Sequence, residues 1–277
     1  ATASERCLNY LSSKEKVTGC VVRTEIFTGG IVGATFVEGS KRNPDIYDLR
    51  VSLWYKAIES QDVRNWLFAS EQEENRELYI GIGCSSDTFV LDDATISNHA
   101  SVVPHIVNKY VGCDNGTIVL NYFNKGSLID NHIQLYEIES FEKFEINDWC
   151  IHIKKDVWKN VKIYLDDSIE NMGIWLGTIN FYLKRIVIID TYTPNDNKRT
   201  TGEVIAGTQG VDELINKYEE VTNGLIGYVG EWHTHTGDSA RPSSKDLVAF
   251  SQVEQGRITL MTILGRKEVK NFILDKR

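Results

Sequence analysis

The chain has 277 residues, 42% of them hydrophobic, and a formal net charge of −9 at pH 7. This length predicts about two domains, and the hydrophobic content is sufficient for two ordinary cores. The acidic charge argues against a nucleic-acid partner. No stretch approaches the roughly 20 apolar residues of a membrane span or has the pattern of a secretory signal peptide, so no membrane association is expected.

The cysteines are spread irregularly and are odd in number: Cys7, Cys20, Cys84, Cys113 and Cys150. The absence of any C-x-x-C pair argues against a zinc site made of cysteines. Their odd number and irregular spacing favour reduced thiols, as in a cytoplasmic protein. The composition is therefore that expected of a cytoplasmic enzyme.

The first half of the chain has weak patterns. It shows helical spacing around residues 7–11, a strand at 19–24 and a helix at 96–110. Cys84 is either a small loop cysteine or a thiol that takes part in transferring a modifier. His99 and His105 are expected on the polar face of the helix, because no carboxylate or cysteine accompanies them at metal-ligand spacing.

The second half alternates strands and helices after a break near residue 150. The pattern predicts strands at 150–153, 173–179, 185–190, 225–235, 258–264 and 269–274, and helices at 155–167, at 211–218 and from 246 onward. Residues 193–201, rich in polar side chains, are expected to form a connecting loop. The fold class that follows is α/β (α+β), with helices around one continuous sheet.

Two histidines end the strand at 225–235, in the order His233-Thr234-His235, and Ser243 and Asp246 follow shortly after. The two-residue period of a strand places both imidazoles on one face, so that they can bind the same ion. Two imidazoles and a carboxylate suit Zn²⁺ as the three protein ligands of a catalytic site, with the fourth position left for water.

The same residues also have a purely structural interpretation. Two histidines on one strand can simply form a polar face, and Ser243 with Asp246 resembles the capping box that starts a helix. The two interpretations of the serine and the aspartate are compatible, since a capped helix can still direct its first-turn carboxylate towards the histidines. Trp232 alternates to the opposite face and is expected in the core.

The spacing H-x-H, seven residues, S-x-x-D resembles the signature of the JAMM (JAB/MPN+) zinc metalloproteases. These isopeptidases remove ubiquitin or ubiquitin-like modifiers, and their bacterial relatives process ubiquitin-like or sulfur-carrier proteins. The family also needs a glutamate upstream of a glycine-containing apolar strand, which Glu170 before Gly173 matches. Many members have proline where this chain has Thr236, a difference that affects only the local loop.

The resemblance implies a role for each matched residue. His233, His235 and Asp246 would bind Zn²⁺, which lowers the pKa of a bound water from about 16 to about 7. Glu170 would act as general base and then as general acid, and Ser243 would donate a hydrogen bond to the developing oxyanion. The alternative for Glu170 is an ordinary solvated glutamate, and the alternative for Ser243 is a serine that only caps a helix. The implied fold is a mixed sheet flanked by helices, like that of the cytidine deaminases.

The first half resembles the C-terminal part of a ThiF-type adenylating enzyme, related to ubiquitin-activating enzymes. A glycine-rich nucleotide loop is missing, so a truncated, Rossmann-like α/β region without adenylating activity is expected. The predicted domains are therefore residues 1–148, ThiF-like, and residues 149–277, JAMM-like.

Together the two resemblances imply an isopeptidase of a bacterial ubiquitin-like conjugation system associated with antiphage defence. Its expected partners are a ubiquitin-like protein or its conjugates, and a conjugating enzyme. Two alternatives remain at this point: a non-enzymatic scaffold, and a hydrolase of small sulfur-carrier adducts.

Overall fold

The computed structural model describes residues 3–13, 17–27, 30–68, 91–123, 131–251 and 258–275. Its contacts divide the chain into two compact units, Ala1–Ser140 and Phe141–Arg277. This division precedes the domain boundary predicted at 148/149. The difference is the strand Phe141–Ile146, which pairs with the next strand of the second unit. Cys84 lies outside the described residues.

The first unit contains one antiparallel sheet and several helices. The strands are β1 (Val22–Phe27), β2 (Val32–Val37), β3 (Gly116–Phe123) and β4 (Asn131–Ile138), and the helices are α1 (Ala3–Leu11), α2 (Ile46–Glu59), α3 (Gln61–Phe68) and α4 (Asp93–Tyr110). The sheet order is β1-β2-β3-β4, and each neighbouring pair is antiparallel.

The expectation of a Rossmann-like arrangement is not met by the described residues of the first unit. Such a region has parallel strands joined by crossover helices, whereas the described sheet is antiparallel throughout. The sequence predicted helices around 7–11 and at 96–110 and a strand at 19–24, which overlap α1, α4 and β1, but local hydrophobic patterns do not specify strand direction. The ThiF resemblance stays a prediction.

His99 was expected on a polar helix face, and this expectation was wrong. Its side chain is only 2% exposed. Its Nε2 atom lies 2.6 Å from the carbonyl oxygen of Gly30, and its Nδ1 atom lies 3.3 Å from Nδ2 of Asn121. Gly33 makes room for the ring, since a Cβ atom there would lie 2.4 Å from Nδ1. His99 is thus a hydrogen-bonded core histidine.

The second unit contains the site motif. Its strands are β5 (Phe141–Ile146), β6 (Trp149–Lys154), β7 (Met172–Asn180), β8 (Arg185–Tyr192), β9 (Lys198–Arg199), β10 (Val204–Ile205), β11 (Gly227–Thr234), β12 (Ile258–Leu264) and β13 (Val269–Asp275), and its helices are α5 (Lys155–Ile163), α6 (Val211–Val221) and α7 (Ser244–Ser251). The predicted strands and helices of this half are all present.

Seven of these strands form one mixed sheet in the order β13-β12-β11-β7-β8-β6-β5. The pairs β11–β12 and β6–β8 are parallel, and the other neighbours are antiparallel. A mixed sheet flanked by helices was the predicted architecture for this half. The expected loop at 193–201 differs in one respect, since β9 lies within it and pairs with β10 in a small hairpin.

The two faces of the mixed sheet carry different side chains. The core beneath α5 includes Trp158, Trp175 and the predicted core residue Trp232. On the opposite face, Phe250 of α7 packs in a smaller cluster with Met261. Because side chains alternate along a strand, Trp232 enters the large core while the residue after it faces the α7 side.

Gly173 allows the Trp232 ring to pack against β7. A Cβ atom at this position would lie 2.9 Å from the ring and 2.5 Å from the carbonyl oxygen of Tyr192. The indole Nε1 donates a hydrogen bond to Oγ1 of Thr191 at 2.7 Å. Close packing between β7 and its neighbouring strands therefore explains why residue 173 is a glycine.

Among the described helices, none combines the length and the hydropathy that a membrane crossing requires.

Candidate metal centre

The end of β11 brings two imidazoles together on the face opposite Trp232. The Nε2 atoms of His233 and His235 lie 3.2 Å apart. His233 belongs to a strand that pairs with β12 on one side and β7 on the other. The strand therefore holds both rings on one face, as the sequence predicted.

Asp246 reaches the histidines from the first turn of α7. Its Oδ1 lies 3.3 Å from Nε2 of His233, and its Oδ2 lies 3.4 Å from Nε2 of His235. The backbone N–H of Ser243 donates to Oδ2 at 2.6 Å, and the Asp246 N–H donates to Oγ of Ser243 at 3.2 Å. The predicted capping box is thus present, and its acidic residue lies beside both histidines.

The spacing of these three groups suits a zinc ion. Zn²⁺ bonds of 2.0–2.2 Å in a tetrahedron place neighbouring ligand atoms about 3.4 Å apart. The two imidazole nitrogens lie 3.2 Å apart, and each lies 3.3–3.4 Å from a different oxygen of the Asp246 carboxylate. One ligand atom of each residue lies within 4.8 Å of the other two, so the three side chains can supply ligands to one ion.

The hydrogen bonding of His235 also fits metal binding. Its Nδ1 atom lies 3.2 Å from the carbonyl oxygen of Ser239, and only a protonated Nδ1 can donate to a carbonyl. That tautomer leaves the lone pair of Nε2 directed towards Asp246 and His233. Outer hydrogen bonds of this kind commonly orient metal-binding histidines.

The Asp246 carboxylate is strongly favoured in its ionised form. Burial raises the pKa of this carboxyl, but the interactions with His233 and the hydrogen bonds from Ser243 lower it by more than burial raises it. The pKa of Asp246 consequently lies well below its usual range. A carboxylate that stays ionised is the form that binds a cation.

Glu170 lies just before β7 and lines the same cavity as the histidines. Burial raises the pKa of its carboxyl, the electrostatic interactions with His235 and His233 lower it, and those with Asp246 and Glu203 raise it. Its carboxylate has no hydrogen-bond or ion-pair partner within the described residues. The structure therefore brings this predicted residue beside the three candidate ligands.

The cavity has a volume of about 520 Å³ and contains all five predicted site residues: Glu170, His233, His235, Ser243 and Asp246. Ser243 uses a lone pair of Oγ to accept the Asp246 N–H, which leaves its own O–H able to donate. One cavity thus presents three candidate ligands, a carboxylate and a hydroxyl, as metal-assisted hydrolysis requires.

The β9–β10 hairpin borders this cavity, a feature that the sequence did not indicate. Thr201, Gly202 and Glu203 at its turn line the cavity. Thr236 donates a hydrogen bond to the carbonyl of Thr201 at 2.8 Å, and Lys245 forms an ion pair with Glu203 at 2.8 Å. The hairpin is therefore joined to the segments that carry the histidines and Asp246.

Sequence reasoning also missed a polar network behind Glu170. Asn171 is fully buried, and its Oδ1 accepts a hydrogen bond from Nη1 of Arg199 at 2.7 Å. The backbone N–H of Asn171 donates to Oγ1 of Thr234 at 2.9 Å. The only local signal was an asparagine next to the candidate base, and its partners lie far along the chain.

Part of the chain is similar to known proteins. Residues 165–273 match the family model of prokaryotic homologues of the JAB domain. A 58-residue stretch is 34% identical to a CD-NTase/cGAS isopeptidase of Escherichia coli (strain TW11681). That match covers 21% of this chain and 37% of the relative, so the chain spans well under half of the relative's length.

Solved structures also give matches, at low overall similarity. A Desulfitobacterium hafniense protein has 16% identity and a TM-score of 0.35, over 46% of this chain and 85% of its own. A JAB1/MPN domain protein from Archaeoglobus fulgidus has 15% identity and a TM-score of 0.24, over 43% of this chain and 81% of its own. It is thus the family match at residues 165–273 that supports a JAB-like domain in this chain.

Proposed function

We propose that the chain is a zinc-dependent isopeptidase or peptidase that hydrolyses the bond after the C-terminal tail of a ubiquitin-like modifier. The observation that carries this proposal is that His233, His235 and Asp246 each place a ligand atom within 4.8 Å of the other two, in a cavity shared with Glu170 and Ser243. The match to the JAB family model and the name of the E. coli relative support an isopeptidase activity.

In this proposal the protein residues have separate tasks. His233, His235 and Asp246 would hold a Zn²⁺ ion, which would supply a Lewis acid and lower the pKa of a water molecule. The Glu170 carboxylate would accept a proton from the attacking water and later give it to the leaving amine. Its raised pKa, caused first by burial, makes it a better proton acceptor than an ordinary glutamate.

Ser243 stabilises the negative charge that develops on the oxygen of the scissile carbonyl. Its Oγ is positioned by the hydrogen bond that it accepts from the N–H of Asp246. Its O–H can donate towards the cavity, and a donor fixed before the reaction stabilises developing charge without reorganising.

The chain would act in a bacterial ubiquitin-like conjugation system linked to antiphage defence. Support comes from the relative's name, which pairs an isopeptidase with CD-NTase/cGAS proteins. Its partners would be a ubiquitin-like protein, the conjugates of that protein, and a conjugating enzyme, all in the cytoplasm. The first unit would contribute as a ThiF-like region.

A non-enzymatic scaffold is the less favoured function. A scaffold gains nothing from a partly buried carboxylate beside three candidate ligands, whereas a hydrolase requires one. The presence of Glu170 in the cavity with Ser243 therefore favours catalysis. The choice between protein conjugates and small sulfur-carrier adducts depends on the substrate experiment.

The decisive experiment uses the full chain loaded with zinc. We expect it to cleave a ubiquitin-like protein encoded beside its own gene, supplied both as a linear fusion and as a lysine conjugate. Glu170→Gln provides the inactive control. If the chain cleaved only a small sulfur-carrier adduct, its function would be the hydrolysis of such adducts and not of protein conjugates. If the zinc-loaded chain cleaved none of the three substrates, the proposal would be overturned.

A further inference from the structure

We propose that Asn171, held by Arg199, is the positioning residue for Glu170, and that it couples the β9–β10 hairpin to the candidate general base. This inference rests on the proposed function, because it assigns a role to residues that do not themselves reach the substrate. The observations that carry it are a fully buried side-chain amide and the three chain segments that bond to it.

The side chain of Asn171 is bonded through both of its polar atoms. Nδ2 donates to Oδ2 of Asp167 at 2.9 Å and to the carbonyl of Ile169 at 3.1 Å. Oδ1 accepts from Nη1 of Arg199 at 2.7 Å. The amide therefore links the turn that precedes Glu170 to the hairpin strand β9.

The backbone on either side of Glu170 is bonded as well. The Glu170 N–H donates to the carbonyl of Thr200 at 2.8 Å, and the Thr234 N–H donates to the carbonyl of Asn171 at 2.8 Å. The Asn171 N–H returns a bond to Oγ1 of Thr234 at 2.9 Å. Glu170 is thus held by the hairpin on one side and, through Asn171, by the residue between the two histidines on the other.

This arrangement determines where the Glu170 carboxylate lies. No described residue binds the carboxylate directly, so its position depends on how its backbone is held. Misplacing a reacting group by about 1 Å can cost about 10²-fold in rate. The Arg199–Asn171 bond would keep the carboxylate at the correct distance from His233 and His235.

Arg199 offers the cleaner test. Asn171 is fully buried, so its replacement can disrupt folding, whereas Arg199 is exposed on a two-residue strand. Its neighbour Lys198 is also exposed, and the ammonium group of Lys198 forms no hydrogen bond or ion pair with a described residue. Arg199→Ala and Lys198→Ala therefore form a matched pair that removes one cation each from the same strand.

The first readout does not depend on activity. In the zinc-free full chain, we expect Arg199→Ala to increase hydrogen–deuterium exchange in peptides covering residues 167–172, and Lys198→Ala to leave it unchanged. Both variants should bind zinc with wild-type stoichiometry, because neither residue belongs to the ligand set. Unchanged exchange in Arg199→Ala would overturn the proposal.

The second readout separates positioning from binding. For a cognate modifier fusion, we expect Arg199→Ala to lower kcat by about tenfold or more with little change in KM, since a misplaced base slows the chemical step. Arg199→Lys keeps a donor at this position and should recover most of the lost kcat. An unchanged kcat in Arg199→Ala, or no recovery in Arg199→Lys, would contradict the assignment. An inactive wild type would instead refute the proposed function, and the exchange experiment would still test the coupling.

Discussion

Asn171 and Thr234 are joined by two hydrogen bonds, at 2.8 and 2.9 Å, which run in opposite directions between them. Thr234 lies between His233 and His235, and Asn171 directly follows Glu170. One contact between β11 and the residue that precedes β7 therefore links the candidate zinc ligands to the candidate general base.

We expect the wild-type chain to bind about one zinc ion, and the double variant His233→Ala, His235→Ala to lose it. The two imidazoles supply two of the three candidate ligands, so Asp246 alone cannot retain the ion. Elemental analysis after removal of loosely bound metal measures the stoichiometry. His105→Ala, which changes an exposed histidine of α4, is the control and should keep its zinc. A folded double variant with undiminished zinc would refute the ligand assignment.

Glu170→Gln should separate metal binding from catalysis. Glu170 is not among the candidate ligands, so the variant should keep its zinc and its stability. Loss of a general acid–base group typically costs 10²–10⁴-fold in rate, and at least a hundredfold loss of fusion cleavage is expected. His235→Ala should also be inactive, but because it loses a candidate ligand and with it the zinc ion. If Glu170→Gln cleaved at the wild-type rate, Glu203, which lines the same cavity, would be the next carboxylate to test.

Ser243→Ala should reduce both stability and activity, but to different extents. Loss of the helix cap costs about 1 kcal/mol, whereas loss of an oxyanion donor costs about 10²–10³-fold in kcat. Ser244→Ala, one position further into α7, should leave both nearly unchanged. Chemical unfolding and saturation kinetics at a temperature where all variants are folded give the two quantities. A Ser243→Ala variant that lost stability but kept its kcat would show that the serine only caps the helix.

Gly173→Ala should lower the free energy of unfolding by about 1–3 kcal/mol, the usual range for overpacking. The added methyl group would lie within 3 Å of the Trp232 ring and of the Tyr192 carbonyl oxygen. Gly202→Ala is the matched control, because no neighbouring atom lies within 4 Å of a Cβ atom there. Urea unfolding monitored by tryptophan fluorescence measures both. Equal stability of the two variants would contradict the packing explanation.

The grouping of His233, His235 and Asp246 could be predicted from the sequence because it depends on short-range geometry. A strand places alternate residues on one face, and a capping box places its acidic residue in the first helical turn. The position of Glu170 depends instead on pairing between β7 and β11, which are far apart in the chain. Only the family resemblance pointed to that residue, and its catalytic role stays a prediction.

Other features were beyond the reach of sequence patterns. β9 and β10 have two residues each, too few to show an alternating pattern, so the hairpin at the cavity was missed. In the first unit, strand direction and the burial of His99 depend on long-range pairing. Gly33 and Asn121, which surround that ring, come from two different strands. Such contacts leave no periodic signal around His99 itself.

The elements that carry the three candidate ligands differ in how firmly they are packed. His233 lies in β11, which has a paired strand on either side, but Asp246 belongs to an eight-residue helix. On that helix Leu247 and Val248 are 58% and 57% exposed, and Phe250 is the one buried residue among those whose burial is described. Local openings involve elements with few buried contacts. Zinc exchange should therefore proceed through transient detachment of α7, at a rate far faster than unfolding of the sheet.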